Sequence, residues 1–143
     1  MGKRKAKAQV REVLERYSGA AGRLDIEEYM TFFVEDAEVH GILEMFDQTG
    51  PLVGTEAIRG FFGPALGGLK WLQQLNSITD IDISDDGKSA TASLALQERA
   101  GGDDHEILMY GRYDDKLVLT GKGWKFKERR LTVYRFKPVT DAS

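Results

Sequence analysis

Proton transfer near neutral pH falls most often to histidine, and the chain holds two, His40 and His105. His105 follows "GGDD" at a turn between two strand-like runs, the setting of a solvated loop residue. His40 lies in "AEVHGIL", where alternation puts it on the face opposite Val39 and Gly41. It is kept as a catalytic candidate, with an oligomer contact as its other reading. With no cysteine in the chain, thiolate nucleophiles, disulfides and thiolate metal sites are excluded. No spacing suggests three or four converging metal ligands, so neither a metal nor a cofactor is expected. The remaining chemistry sits in "YGRYDDKLVLTGKGWKFKERR", Tyr110 to Arg130. Past its Gly-Lys-Gly turn, Trp124, Phe126 and Glu128 share one face of a strand, and Lys125, Lys127 and Arg129 the other. A bulge near Glu128 to Arg130 would turn Arg129 inward. Buried there, its guanidinium needs an anionic partner, and Glu44 and Asp47 after the first strand are the nearest guesses.

Helices followed by strands must position these groups. Val10, Val13, Leu14 and Tyr17 recur at helical spacing and predict an amphipathic helix over about 6–21. Asp25 with Glu28 three residues on forms a capping box, and Leu24 with Tyr29 a hydrophobic staple. Asp25 therefore has a structural job, at the start of a second helix whose apolar face is Ile26, Tyr29, Met30 and Phe33. Residues 37–43 read as a strand, and Thr55 caps a short third helix that Gly63 and Pro64 stop. From Trp71 the period becomes two, with strands at 71–83, 89–99, 106–119 and 123–137 and glycine-containing turns between them. Trp71, Phe33, Phe62 and Tyr134 read as core. The order predicts an α+β fold, helices covering one face of a curved sheet.

A chain of 143 residues fits one domain, 1–143, with residues 1–6 a frayed basic start. The net charge of −3 argues against nucleic-acid binding, although Lys3, Arg4, Lys5 and Lys7 cluster. No apolar run approaches the ~20 residues of a membrane span, and no signal peptide precedes the first helix. A cytoplasmic setting is the default expectation.

"LERYSGAAGRLDIEEYMTFFVEDAEV", "GTEAIRGFF" and the Tyr110–Arg130 hairpin resemble, in this order, segments of SnoaL-like members of the nuclear transport factor 2-like superfamily. The resemblance runs from Val10 to Phe136. It implies a mostly antiparallel curved sheet wrapped around helices, forming a cone with an internal apolar pocket. Relatives include polyketide cyclases, ketosteroid isomerase, scytalone dehydratase and hexachlorocyclohexane dehydrochlorinase, alongside members that only bind or dimerise. The Asp and His used by dehydratase and dehydrochlorinase types map to Gly22 and Leu72, the latter anchored on Asn76, so the resemblance implies that both are absent. The ketosteroid isomerase base maps to Gly41, while its oxyanion donor maps to Tyr17. Arg129 matches an Arg that points into the cavity, and Met109 and Tyr113 match pocket-wall positions.

The resulting expectation is a cofactor-independent lyase, dehydratase or isomerase acting on a hydrophobic, aromatic or polycyclic small molecule. Tyr17, Arg129 and His40 are its catalytic candidates; Leu72, Met109, Tyr113, Trp71, Asn76, Val39 and Gly41 are its substrate-binding candidates. An inward Arg129 implies an anionic ligand or enolate-like intermediate. The alternative is a binding or carrier protein that kept the pocket and lost the dyad. The resemblance further implies a homo-oligomer, dimer or trimer.

Overall fold

Val10, Leu14 and Tyr17 all turn inward from one helix, α1 (Lys3–Gly22), which packs against the sheet. The structure is a computed structural model describing residues 2–139. After α1 come α2 (Ile26–Met30), β1 (Phe33–His40), a 3-10 turn (Leu43–Phe46), β2 (Leu52–Val53), α3 (Thr55–Gly67) and β3 (Trp71–Ile83). Then follow β4 (Ser89–Gly101), β5 (Glu106–Thr120) and β6 (Gly123–Pro138). They form one six-stranded curved sheet in the order β2-β1-β6-β5-β4-β3. Only β1 and β6 run parallel; the other pairs are antiparallel. This is the expected α+β fold. Its core gathers Val10, Leu14, Tyr17, Ile58, Leu94 and Leu117, and burying each such side chain contributes ~1.5–3 kcal/mol. Among the described residues no helix is long and apolar enough to cross a membrane.

Three boundaries differ from the sequence reading. The first helix begins at Lys3, so the basic start is helical, and Lys3 reaches Asp85 at 2.9 Å. The first strand spans Phe33–His40, because Phe33 leaves the helix to lie opposite Phe126 of β6, whose amide donates to the Phe32 carbonyl at 2.7 Å. The third helix runs through Gly63 and Pro64 to Gly67. Pro64 removes one helix bond, to a Gly60 on the exposed face where water can replace it. Gly54, not Thr55, is its N-cap.

The cap on α2 is as expected in one direction. The Asp25 side chain accepts from the Glu28 amide at 3.1 Å, whereas the Glu28 carboxylate turns to Arg23 at 2.7 Å. Asp25→Ala is expected to cost about 1 kcal/mol, read by urea denaturation, and to leave ligand affinity unchanged.

Two bulges set what faces inward on β6. Leu117 pairs with Phe126 but Lys116 with Glu128, so Lys127 is the extra residue. Trp124 and Phe126 therefore point inward before the bulge, and Arg129 and Leu131 after it. Plain alternation would have put Arg129 outside; one inserted lysine reverses that. A second shift, between Tyr110 and Gly111, makes Tyr134 the extra residue. Tyr134 is 63% exposed, and Trp71 at the start of the edge strand is 40% exposed, so neither is core.

Gly41 also has a backbone reason. Its φ is +91°, and a Cβ there would sit 1.9 Å from the Leu131 carbonyl oxygen. Only glycine fits where β1 ends against β6.

Candidate active site

The bulge places Arg129 directly across from Asp115 of β5, both inward. Their side chains are 1% and 0% exposed. Arg129 donates from Nε to Asp115 Oδ1 at 2.8 Å and from Nη2 to Oδ2 at 3.0 Å, a two-pronged fork. The guanidinium carbon lies 3.8 Å from the Tyr113 ring centroid, 4.1 Å from Tyr17 and 4.2 Å from Phe126. Three aromatic rings thus replace the hydration that burial removed. Nη1 is buried and has no hydrogen-bond acceptor among the described residues. Burial opposes the charge on Arg129, but Asp115 and the neighbouring phenols outweigh it and hold the guanidinium above its ordinary value. Burial pushes the Asp115 carboxyl up, against the pull of Arg129. The partner is therefore its own cross-strand neighbour, not Glu44 or Asp47.

Above this sealed pair lies a cavity of about 150 Å³ between α1, α2, α3 and the inner face of β3–β5. Tyr17, Tyr29 and Tyr113 line one side, and Leu72 and Met109 line the sheet. Phe46, half exposed, lies against Phe61 and Phe136 with ring centroids 5.9 and 6.4 Å away. Tyr17 donates to the Tyr29 oxygen at 2.8 Å. Burial raises the Tyr17 phenol, with Arg129 pulling the other way. Burial also lifts Tyr29 and Tyr113 well above the ordinary phenol value. All three keep their protons as hydrogen-bond donors.

One carboxyl lines this cavity, Glu98. It stands on β4 in phase with the buried Leu94, Leu96 and Ala100, with Met109 across from it on β5. Gln74, its neighbour on β3, donates to Oε1 at 2.9 Å. The Gln74 carbonyl oxygen in turn accepts from the Asn76 amide at 3.0 Å, and that amide also contacts Ser18 Oγ on α1. This chain fixes the Gln74 orientation, so that its NH₂ must face the carboxyl. Oε1 is engaged, while Oε2 has no hydrogen-bond partner among the described residues. Burial among apolar walls pushes the Glu98 carboxyl up, and the Gln74 hydrogen bond pulls partly back. The group remains accessible through the cavity itself.

Tyr17, Leu72, Met109 and Tyr113 are thus brought together, with Arg129 behind two of them. Asn76 reaches the site only through Gln74. The remaining candidates lie elsewhere. Val39 is core opposite Arg129, and Gly41 is a backbone contact with β6. Trp71 points away because it precedes the inward Leu72 on its strand. His40 stands on the other face, its Nε2 3.2 Å from both Glu38 Oε1 and Glu128 Oε1, with neither contact aligned as a hydrogen bond. Gly22 is exposed, and the α1 residue at the cavity wall is Ala21, one position earlier. Gly22 therefore does not share the cavity wall with Leu72, so its mapping onto the dyad Asp fails, and the inference of a lost dyad fails with it; a Cβ on Gly22 would still lie 3.6 Å from the Leu72 carbonyl oxygen. A larger hollow of about 760 Å³ between α1 and the β5–β6 turn is an open groove with Glu12, Arg16, Lys122 and Lys125 on its rim.

Comparison with known proteins fits this architecture. The SnoaL-like domain family model matches residues 3–130, and the chain belongs to that family. An inferred scytalone dehydratase from Novosphingobium aromaticivorans has a similar fold, with a TM-score of 0.80 at 21% identity, covering 96% of this chain and 89% of that one. An inferred aromatic ring hydroxylase from the same organism gives 0.80 at 21% identity, over 99% and 98% of the two chains. Hexachlorocyclohexane dehydrochlorinase LinA-type3 from Novosphingobium barchaimii LL02 gives 0.73 at 12% identity, over 96% and 92%. No curated protein matches the chain.

Proposed function

We propose that the protein is a cofactor-independent lyase or isomerase acting on a small hydrophobic molecule, with Glu98 as its general base. The carrying observation is a single carboxyl, raised by burial, with one oxygen unengaged in an apolar cavity beside three protonated phenols. A base works best when its pKa lies near the working pH, and desolvation moves a carboxyl in that direction. Glu98 Oε2 takes a proton from the carbon next to a substrate carbonyl. The electron pair moves onto the carbonyl oxygen, where Tyr113 donates a hydrogen bond. Arg129, against the Tyr113 ring, makes that hydroxyl a stronger donor without touching the ligand. Where the substrate carries a β,γ double bond the enolate is a dienolate, and return of the proton to the γ carbon is an isomerisation. Loss of a group from the β carbon is a lyase step. The relatives named as scytalone dehydratase and dehydrochlorinase favour the second outcome.

A second reading is a carrier with the same cavity. It is favoured by a cavity wall made mostly of aliphatic and aromatic side chains, among them Ala21, Phe61, Phe62, Leu66 and Leu72. The two readings part in D₂O. Single-ring ketones incubated with the protein are expected to exchange α-protons faster than in buffer, followed by NMR. Ketones that bind without any gain in exchange would leave the carrier reading standing.

A further inference from the structure

The charge balance of the cavity carries a consequence for what enters it. Arg129 lies behind the phenol rings, and Asp115 neutralises it there through two hydrogen bonds. No Lys, Arg or His lines the cavity, while Glu98 does. The inward Arg129 therefore offers no free positive charge to a ligand, contrary to the expectation of an anionic one. We propose that Glu98 makes this cavity selective for uncharged ligands built on one six-membered ring, and excludes the corresponding carboxylates.

Size and chemistry both point there. About 150 Å³ is the size of an apolar cavity that takes up benzene, and too small for a fused polycycle. The walls supply aromatic and aliphatic surface for the ring from Phe61, Phe62, Leu72 and Met109. The phenols of Tyr29 and Tyr113 donate to a neutral carbonyl oxygen, Tyr17 being engaged as donor to Tyr29. An anion entering the same space meets the ionised Glu98 at close range in a poorly screened environment, with no counter-ion to offset the repulsion. The groups facing Glu98 are Gln74 from β3, Met109 and Tyr113 from β5 and Tyr17 from α1, none of them cationic.

The inference rests on the cavity being the ligand site of the proposed function, but not on the reaction. Benzamide and benzoate have nearly the same shape and differ in charge, which makes them the probes. Each is titrated into the wild-type protein at mildly alkaline pH and followed by amide chemical shifts. Benzamide is expected to bind, and benzoate to bind about tenfold or more weakly, a difference of ~1.4 kcal/mol or more. In Glu98→Gln, nearly isosteric, the gap is expected to close through a gain for benzoate. Equal binding of the two probes to wild type overturns the inference, as does failure of both to bind. A gap that persists in Glu98→Gln does so too, because the discrimination then comes from elsewhere. If Glu98→Gln does not fold, Glu98→Met, uncharged and of similar length, takes its place in the same comparison. Expected probe behaviour with no ketone exchange removes the catalytic reading and leaves the selectivity in place. Exchange together with tight benzoate binding does the reverse.

Discussion

Asp115→Ala is expected to destabilise the fold by about 3–5 kcal/mol, because it strands a guanidinium that has no other acceptor. Arg129 is 1% exposed, its Nη1 already lacks a partner, and the surrounding rings of Tyr17, Tyr113 and Phe126 can only partly replace a carboxylate. The size of the loss does not measure what the pair contributes. Taking both charges from water costs several kcal/mol per ion, and their mutual attraction in the interior offsets it only when the geometry is good. The two-pronged contact at 2.8 and 3.0 Å meets that requirement. The double variant Asp115→Leu with Arg129→Met should therefore recover most of the stability, since two apolar side chains of comparable volume remove both desolvation costs together. Urea denaturation of the wild type, both single variants and the double variant gives the coupling directly. A loss below about 1 kcal/mol for Asp115→Ala would mean that Arg129 finds water or another acceptor, and the sealed floor under the phenols would be wrong. The double variant also separates fold from function. It keeps the cavity walls while removing the positive charge that polarises Tyr17 and Tyr113, so its stability and its exchange rate are expected to part company.

What could be read from the chain alone follows from how local each signal is. The helical phase of Val10, Leu14 and Tyr17, the Asp25 cap and the strands from Trp71 onward depend on neighbours within a few residues. All of them are legible. Pro64 is a helix stop on local grounds and a helix interior residue in the fold, since α3 continues on an exposed side that tolerates the lost bond. Phe33 has a helical phase with Tyr29, but its tertiary partner Phe126 draws it into β1. Arg129 is an intermediate case. The idea of a bulge is available from the sequence, but its place at Lys127, and hence the pairing with Asp115, depends on the register of two strands. Counted back from the turn without the inserted residue, Asp115 would face Glu128. Glu98 was open to detection. In "LALQERA" it occupies the inward phase set by Leu94, Leu96 and Ala100, a carboxyl where alternation calls for an apolar residue. A search confined to histidines and to inherited dyad positions passes over that mismatch, because the residue matters through burial that only the folded sheet creates.

Glu98→Gln is expected to lower α-proton exchange by about 10²–10⁴-fold, the usual contribution of a positioned base. The substitution keeps the shape and can still accept from Gln74, so the cavity and the Gln74–Asn76–Ser18 chain should survive. What it removes is the only ionisable carboxyl among the cavity residues. Two pH profiles then test the assignment with opposite signs. Burial raises the folded value of Glu98 above its unfolded value, so the fold favours the protonated acid. Its contribution to stability is full below the unfolded carboxyl value of about 4.3 and is lost as pH rises through the raised folded value. Wild type should therefore lose stability relative to Glu98→Gln on going from acidic to neutral pH, seen as a falling difference in melting temperature. Activity runs the other way. A base must be ionised, so wild-type exchange should climb through the same raised value while the residual rate of the variant stays flat across it. If Glu98→Gln exchanges α-protons at the wild-type rate, Glu98 is not the base. If the rate falls but exchange turns at a pH other than the one where the stability loss levels off, the group that titrates in catalysis is another one. Agreement between the exchange midpoint and the upper end of the stability loss, and loss of both features in the variant, would tie the buried carboxyl to the chemistry.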